Sequence, residues 1–182
     1  MINLSKKVLP DSVMVSGSSF KIKTDFHYWI RFIQMLNEKV FYEDFDFLYK
    51  ERIPEDRKSG FESLKAFAFP KRELPRSTES ENPDLISYSY TLDADLIYSA
   101  FMQQYGIDLV ESSMHWYKFQ ALFNGLRECK FTDVVGYRLY EVKGKETDYD
   151  KQMLKMRKAW EILPELTEED KKRIDDFNSL FN

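Results

Sequence analysis

The chain has 182 residues, 43 % hydrophobic and 32 % charged, a globular balance long enough to bury one core. Its formal net charge of −4 lacks the basic surplus of a phosphate-backbone binder, and 6 Gly with 6 Pro are too few for a sandwich or barrel of many tight turns. One cysteine, Cys129, excludes an internal disulfide, and the N-terminal stretch lacks a signal peptide's apolar core, so the chain reads as cytoplasmic.

In chain order, "SVMVSGSSFKIK" (12–23) reads as strand, turn, strand. Val13 and Val15 alternate with polar neighbours, as do Phe20 and Ile22, and Ser-Gly-Ser-Ser supplies the turn. A lone hairpin is marginal in water, so helices should cover it. Thr24 offers an N-cap for the helix that follows, with Phe26, Trp29, Ile30, Ile33 and Leu36 on one face and Tyr28, Phe32 and Met35 on a second. "VFYEDFDFLYKER" places Phe41, Tyr42, Phe45, Leu48 and Tyr49 at amphipathic α-helical spacing. A shorter helix near 57–69 presents Phe61, Leu64 and Phe67 or Ala68. Three prolines with Ser, Glu and Asn make 70–84 an exposed loop.

After that loop, Leu92, Ile97, Tyr98, Phe101, Met102 and Tyr105 form the apolar side of a helix closed by Gly106. Trp116, Phe119, Phe123 and Leu126 mark its partner in an αα-hairpin. In 131–142, Val134, Arg138, Tyr140 and Val142 allow a strand, while Thr132 as a cap favours a short helix. The helical C-terminal part, 146–182, opens with Tyr149, Met153, Met156, Trp160 and Leu163 at i, i+4, i+7, i+11 and i+14, with Pro164 as its stop. Thr167 and Asp170 then start a last helix bearing Ile174, Phe177 and Phe181. The expected fold is mainly α, about six to seven helices in a single domain with a small N-terminal β-hairpin.

Chemistry-bearing clusters are scarce. Asp93 and Asp95, two apart, point away from each other on a helix and serve better as cap and first-turn acid than as metal ligands. His27 and His115 are the two histidines, with no HExxH, CxxC or Cys/His spacing, and no run of clustered glycines cradles a phosphate. No catalytic, cofactor or metal residue is therefore assigned. The basic residues of 151–158 are flanked by Asp148, Asp150 and Glu161 and read as a solvated helix face. The stripe from Tyr149 to Trp160 has two readings: a face docked on the core, or a heptad seam for another chain.

The segments "DADLIYSAFMQQYGIDL", "MHWYKFQALFNGL" and "KFTDVVGYRLYEV", in that order, resemble a family of tailed-bacteriophage tail-morphogenesis proteins. The family is encoded just before the tape measure in phages and prophages of Gram-positive bacteria. The opening "LPDSVMVSGSSFKIKTDFHYWIRF" is similar to that family's start, while 40–85 and the charged C-terminal part match weakly. Tyr117 stands where the family has a second Trp. The resemblance implies a non-enzymatic tail assembly chaperone in the host cytoplasm. Its partners would be the tape measure protein, other tail proteins or a second copy of itself, with no nucleic acid, membrane or cofactor. Phe41, Tyr42, Phe45 and Tyr49, or Tyr149, Met153, Met156 and Trp160, are the candidate contact residues, since aromatic and Met side chains adapt to varied helical clients. A structural tail component and a binder of a host protein are the alternatives.

Overall fold

A computed structural model describes residues 2–71 and 85–163. The hairpin forms as expected: β1 (Ser12–Val15) pairs antiparallel with β2 (Ser18–Lys21), Val13 opposite Phe20 and Val15 opposite Ser18. That register leaves Ser16 and Gly17 as a two-residue turn with φ of 48° and 80°, the double positive φ whose twist matches the strands. Ser18 and Ser19 thus belong to β2. Val13, Val15, Phe20 and Ile22 are buried. Beyond β2 the sheet edge is taken up at once, with Lys23 N–H donating to Leu48 O at 2.8 Å and Lys50 N–H to Lys21 O at 3.0 Å.

Helix α1 (Phe26–Met35) is capped by Asp25, not Thr24, through its carboxylate and the His27 N–H. Thr24 precedes the cap, and its carbonyl accepts the Trp116 N–H at 2.7 Å. The buried seam of α1 is Phe26, Trp29 and Phe32, drawn from both expected faces. The segment after it is not an α-helix. Residues Tyr42–Leu48 form a 3-10 helix, where Tyr42, Phe45 and Leu48 repeat every three residues and line up at three per turn. It stops at Tyr49, whose backbone is extended and bridges Ile22. Helix α2 (Arg57–Ala68) follows, capped by Asp56 and burying Gly60, Leu64, Phe67 and Ala68. From residue 72 onwards the loop expected over 70–84 lies outside the described residues, as do Pro164 and the last helix.

Helix α3 (Ala94–Tyr105) ends as its sequence requires, on Gly106 at φ 63°. Leu92 and Met102, expected on its apolar side, are exposed. Helix α4 (Trp116–Asn124) completes the αα-hairpin: Phe101 stacks on Phe119 at 5.2 Å and Tyr105 Oη donates to Leu122 O at 2.9 Å. Helices α5 (Lys130–Arg138) and α6 (Asp148–Trp160) complete the described fold. The helical reading of 131–142 holds, but Thr132 lies inside α5 and its hydroxyl reaches back to the Cys129 N–H. The described residues thus hold six α-helices, one 3-10 helix and one β-hairpin, a mainly helical fold. No helix among them is long and apolar enough to cross a membrane.

The chain divides into two compact units, Met1–Glu81 with Ser89–Asp133, and Asn82–Tyr88 with Val134–Asn182. In the first, Phe119 is fully buried among Phe26 at 4.8 Å, Phe101 at 5.2 Å and Trp116 at 5.6 Å. Both buried indoles there find acceptors: Trp29 Nε1–H donates to Lys23 O and Trp116 Nε1–H to Ala68 O. In the second unit Arg138 reaches Trp160 O and Ser87 O, while Arg157 reaches Tyr140 O.

Candidate interaction surfaces

The 3-10 helix divides its large side chains by direction. Phe45 and Leu48 turn inward; Phe45 is 2 % exposed and lies 5.0 Å from both Phe32 and Phe61. Tyr49, 7 % exposed, meets Phe20 edge-on at 6.1 Å. Burial pushes the Tyr49 phenol up to about 12, Asp46 adds to the rise and Arg57 opposes it. Phe41 and Tyr42 are different. Phe41 is 77 % exposed and Tyr42 is 43 % exposed, its ring tilted against Phe61 at 5.4 Å. Asp44 fixes this start of the 3-10 helix, because its carboxylate accepts the Phe41 N–H at 2.7 Å. Of the four candidates in this segment, two are core and two are surface.

The second group lies on α6. Tyr149 is 63 % exposed, with its ring edge-on to Tyr140 at 6.1 Å, and Met153, Met156 and Trp160 are half-buried. Leu163 is exposed and beyond the helix, which ends at Trp160. The start of α6 is tied down by a capping box: Thr147 Oγ1 accepts the Asp150 N–H, and the Asp150 carboxylate accepts the Thr147 N–H at 2.7 Å and the Tyr140 hydroxyl. The Thr147 and Tyr140 hydrogen bonds hold Asp150 below the usual carboxylate range, and the Asp150 hydrogen bond pushes Tyr140 up to about 12. The Thr-x-x-Asp spacing was a readable signal for this cap. A shallow depression in the same unit is lined by Leu85, Ile86, Arg138, Arg157, Glu161 and Ile162.

The groups weighed for chemistry have structural partners. Asp93 is buried, and its carboxylate accepts the Ser89 N–H at 2.9 Å rather than capping α3; Asp95 lies in the first turn. Burial pushes Asp25 up, but hydrogen bonds from Ser113 and His27 outweigh it and hold the carboxyl below its ordinary value. Ser113 Oγ donates to Asp25 at 2.6 Å, and His27 Nδ1 lies 2.8 Å from the same carboxylate. Ser, Asp and His thus meet, but the hydroxyl and the ring both bond the acid, which also accepts the backbone N–H groups of His27 and Met114, so the group clamps backbone. Cys129 is buried beside Thr132. Among the described residues no group of three or more His, Cys, Asp or Glu could hold a metal ion.

His115 was invisible to spacing arguments. It caps α4 with a ring nitrogen, a role no helix-start pattern assigns to histidine: Nδ1 accepts the Tyr117 N–H at 3.0 Å.

Comparison with known families places most of the chain. A family model described as Bacteriophage Gp15 protein matches residues 5–162. No curated protein and no solved structure gives a significant match.

Proposed function

The chain belongs to the bacteriophage Gp15 protein family, and on that premise we propose that it is a non-enzymatic tail assembly chaperone, binding the tape measure protein in the host cytoplasm. The family match, spanning 5–162, is the observation that carries a role in phage morphogenesis. The finer reading draws support from the surface. Phe41, Tyr42 and Tyr149 are exposed aromatics in a chain of net charge −4, suited to gripping an extended helical client while the loaded complex stays soluble. Phe45 and Tyr49 are left out of that contact set, since both are spent on the core. Met153, Met156 and Trp160 keep a half-exposed edge for the client or a second copy.

The test is affinity capture of the protein from phage-producing cells, with bound chains and purified virions both read by mass spectrometry. Tape measure in the eluate and this chain missing from virions is the expected result. Presence in the virion would make it a structural tail component, and capture of a host protein instead would make it a host binder. Phe41→Asp with Tyr42→Asp, and separately Tyr149→Asp, should lower captured tape measure at least about tenfold, the loss of roughly 1.4 kcal/mol. Circular dichroism should remain unchanged. Retained capture in both variants would sink the surface assignment while leaving the chaperone reading to the virion measurement.

A further inference from the structure

Three backbone segments of the first unit meet at one residue. Asp25 bridges His115 in antiparallel fashion, with Phe26 N–H donating to Met114 O at 3.0 Å and Trp116 N–H to Thr24 O at 2.7 Å, so the starts of α1 and α4 are joined edge to edge. The third segment leads into β1, and its Pro10 carbonyl lies 2.8 Å from His115 Nε2. The His115 ring therefore stands between two fixed groups. The Tyr117 N–H can only donate, so Nδ1 must carry a lone pair. The Pro10 carbonyl can only accept, so Nε2 must carry the hydrogen. One species satisfies both, the neutral ring protonated at Nε2. A second proton would set an Nδ1–H against the Tyr117 N–H, removing the cap of α4.

We propose that His115 is an acid-sensitive latch that fastens the lead-in to β1 onto the start of α4 only while its ring is neutral. The surroundings agree with that demand. Burial holds its pKa below the ordinary histidine value; the Pro10 carbonyl opposes this, Lys118 adds to it, and Asp11 opposes it again. From α2 the ring meets Phe67 and on α4 Tyr117, neither carrying charge near neutrality. The sign follows directly. An unfastened His115 takes up its proton at about pH 6.5, whereas the fastened ring resists it. The latch is thus complete above about pH 6.5 and loses ground as pH falls below it. His27, on the same joint, provides an internal contrast: its ring nitrogens face the Asp25 carboxylate at 2.8 Å and Leu109 O at 3.0 Å, both acceptors, and neither meets a backbone N–H.

The experiment is amide hydrogen exchange of Tyr117 in the full chain, read by NMR at pH 7.5 and 5.5 and referred to intrinsic rates. Protection should fall at the lower pH by up to about tenfold, the limit set by one pH unit below an ordinary histidine. His115→Asn, which caps without titrating, should show equal protection at both pH values, and His27→Gln should keep the loss. A wild type with no change, or a His115→Asn variant with the same loss, overturns the proposal. Should the Asn variant fail to fold, the ring nitrogen shifts of wild-type His115 decide: Nε2-protonated and neutral at pH 7.5 supports the latch, and any other form at that pH overturns it.

Discussion

Gly60 shows how narrowly one position can be set. A methyl group there would lie 2.9 Å from Tyr49 Oη and 3.1 Å from Pro54 Cγ. Alanine is favoured over glycine inside a helix by about 1 kcal/mol, yet forcing a methyl into a packed site costs about 1–3 kcal/mol. Tyr49 is anchored by its bridge to Ile22 and its ring contact with Phe20, so it has little room to yield. Gly60→Ala should therefore destabilise the protein by about 1 kcal/mol in thermal or urea melts. The cost should shrink in a Tyr49→Phe background, where the obstructing hydroxyl is gone and the Pro54 ring at 3.1 Å is the close contact left. That hydroxyl is buried without a hydrogen-bond partner among the described residues, so Tyr49→Phe alone should cost little. A stabilising Gly60→Ala with Tyr49 intact would show that α2 and the 3-10 segment are packed more loosely than 2.9 Å requires.

At the scale of the element, α6 depends on its first turn. Among its residues Asp150 alone is buried, so the tie of Thr147, Asp150 and Tyr140 takes a larger share of its stability than in a helix with a deep apolar face. Thr147→Ala should cost about 1 kcal/mol of local stability, seen as faster exchange across 148–160 with α1 and α4 unaffected. The pH window follows from the two shifts. Asp150 is depressed, so its contribution is present above about pH 3.9 and lost as pH falls through its folded value. Tyr140 is raised to about 12, so its contribution is complete below about pH 10 and lost as pH rises through 12. Protection of α6 should be flat between those limits, and a midpoint near neutrality would contradict the tie. Elements of this kind were legible in the sequence to differing degrees. Periodicity located α6, and Gly106 located the end of α3, because one residue type answers each demand. Periodicity misjudged Tyr42–Leu48, since Tyr42, Phe45 and Leu48 suit three residues per turn as well as 3.6, and a strand edge formed elsewhere decided the outcome at Tyr49. Thr24 lost the cap to Asp25 for the same reason: its carbonyl was claimed by Trp116, 92 positions along the chain, which no local pattern reveals.

At the scale of the whole molecule, the first unit has a centre and that centre is aromatic. Phe119 contacts rings from α1, α3 and α4 together, so truncating it removes a side chain that these helices share. Phe→Ala at a fully buried site costs about 3–5 kcal/mol, against a total stability of about 5–15 kcal/mol for an ordinary domain. Phe41 is the counterpart: as large, but 77 % exposed, its removal should stay within about 0.5 kcal/mol. The expectation is that Phe119→Ala brings the urea midpoint down by about a fifth or more, while Phe41→Ala leaves both midpoint and slope unchanged. The contrast matters beyond stability. A client-binding defect in a Phe41 variant can be assigned to a lost contact only if that variant unfolds with the wild-type midpoint, whereas a defect in a Phe119 variant says nothing about contact. A Phe41→Ala midpoint that shifts as far as that of Phe119→Ala would put Phe41 in the core and withdraw it from the interaction surface.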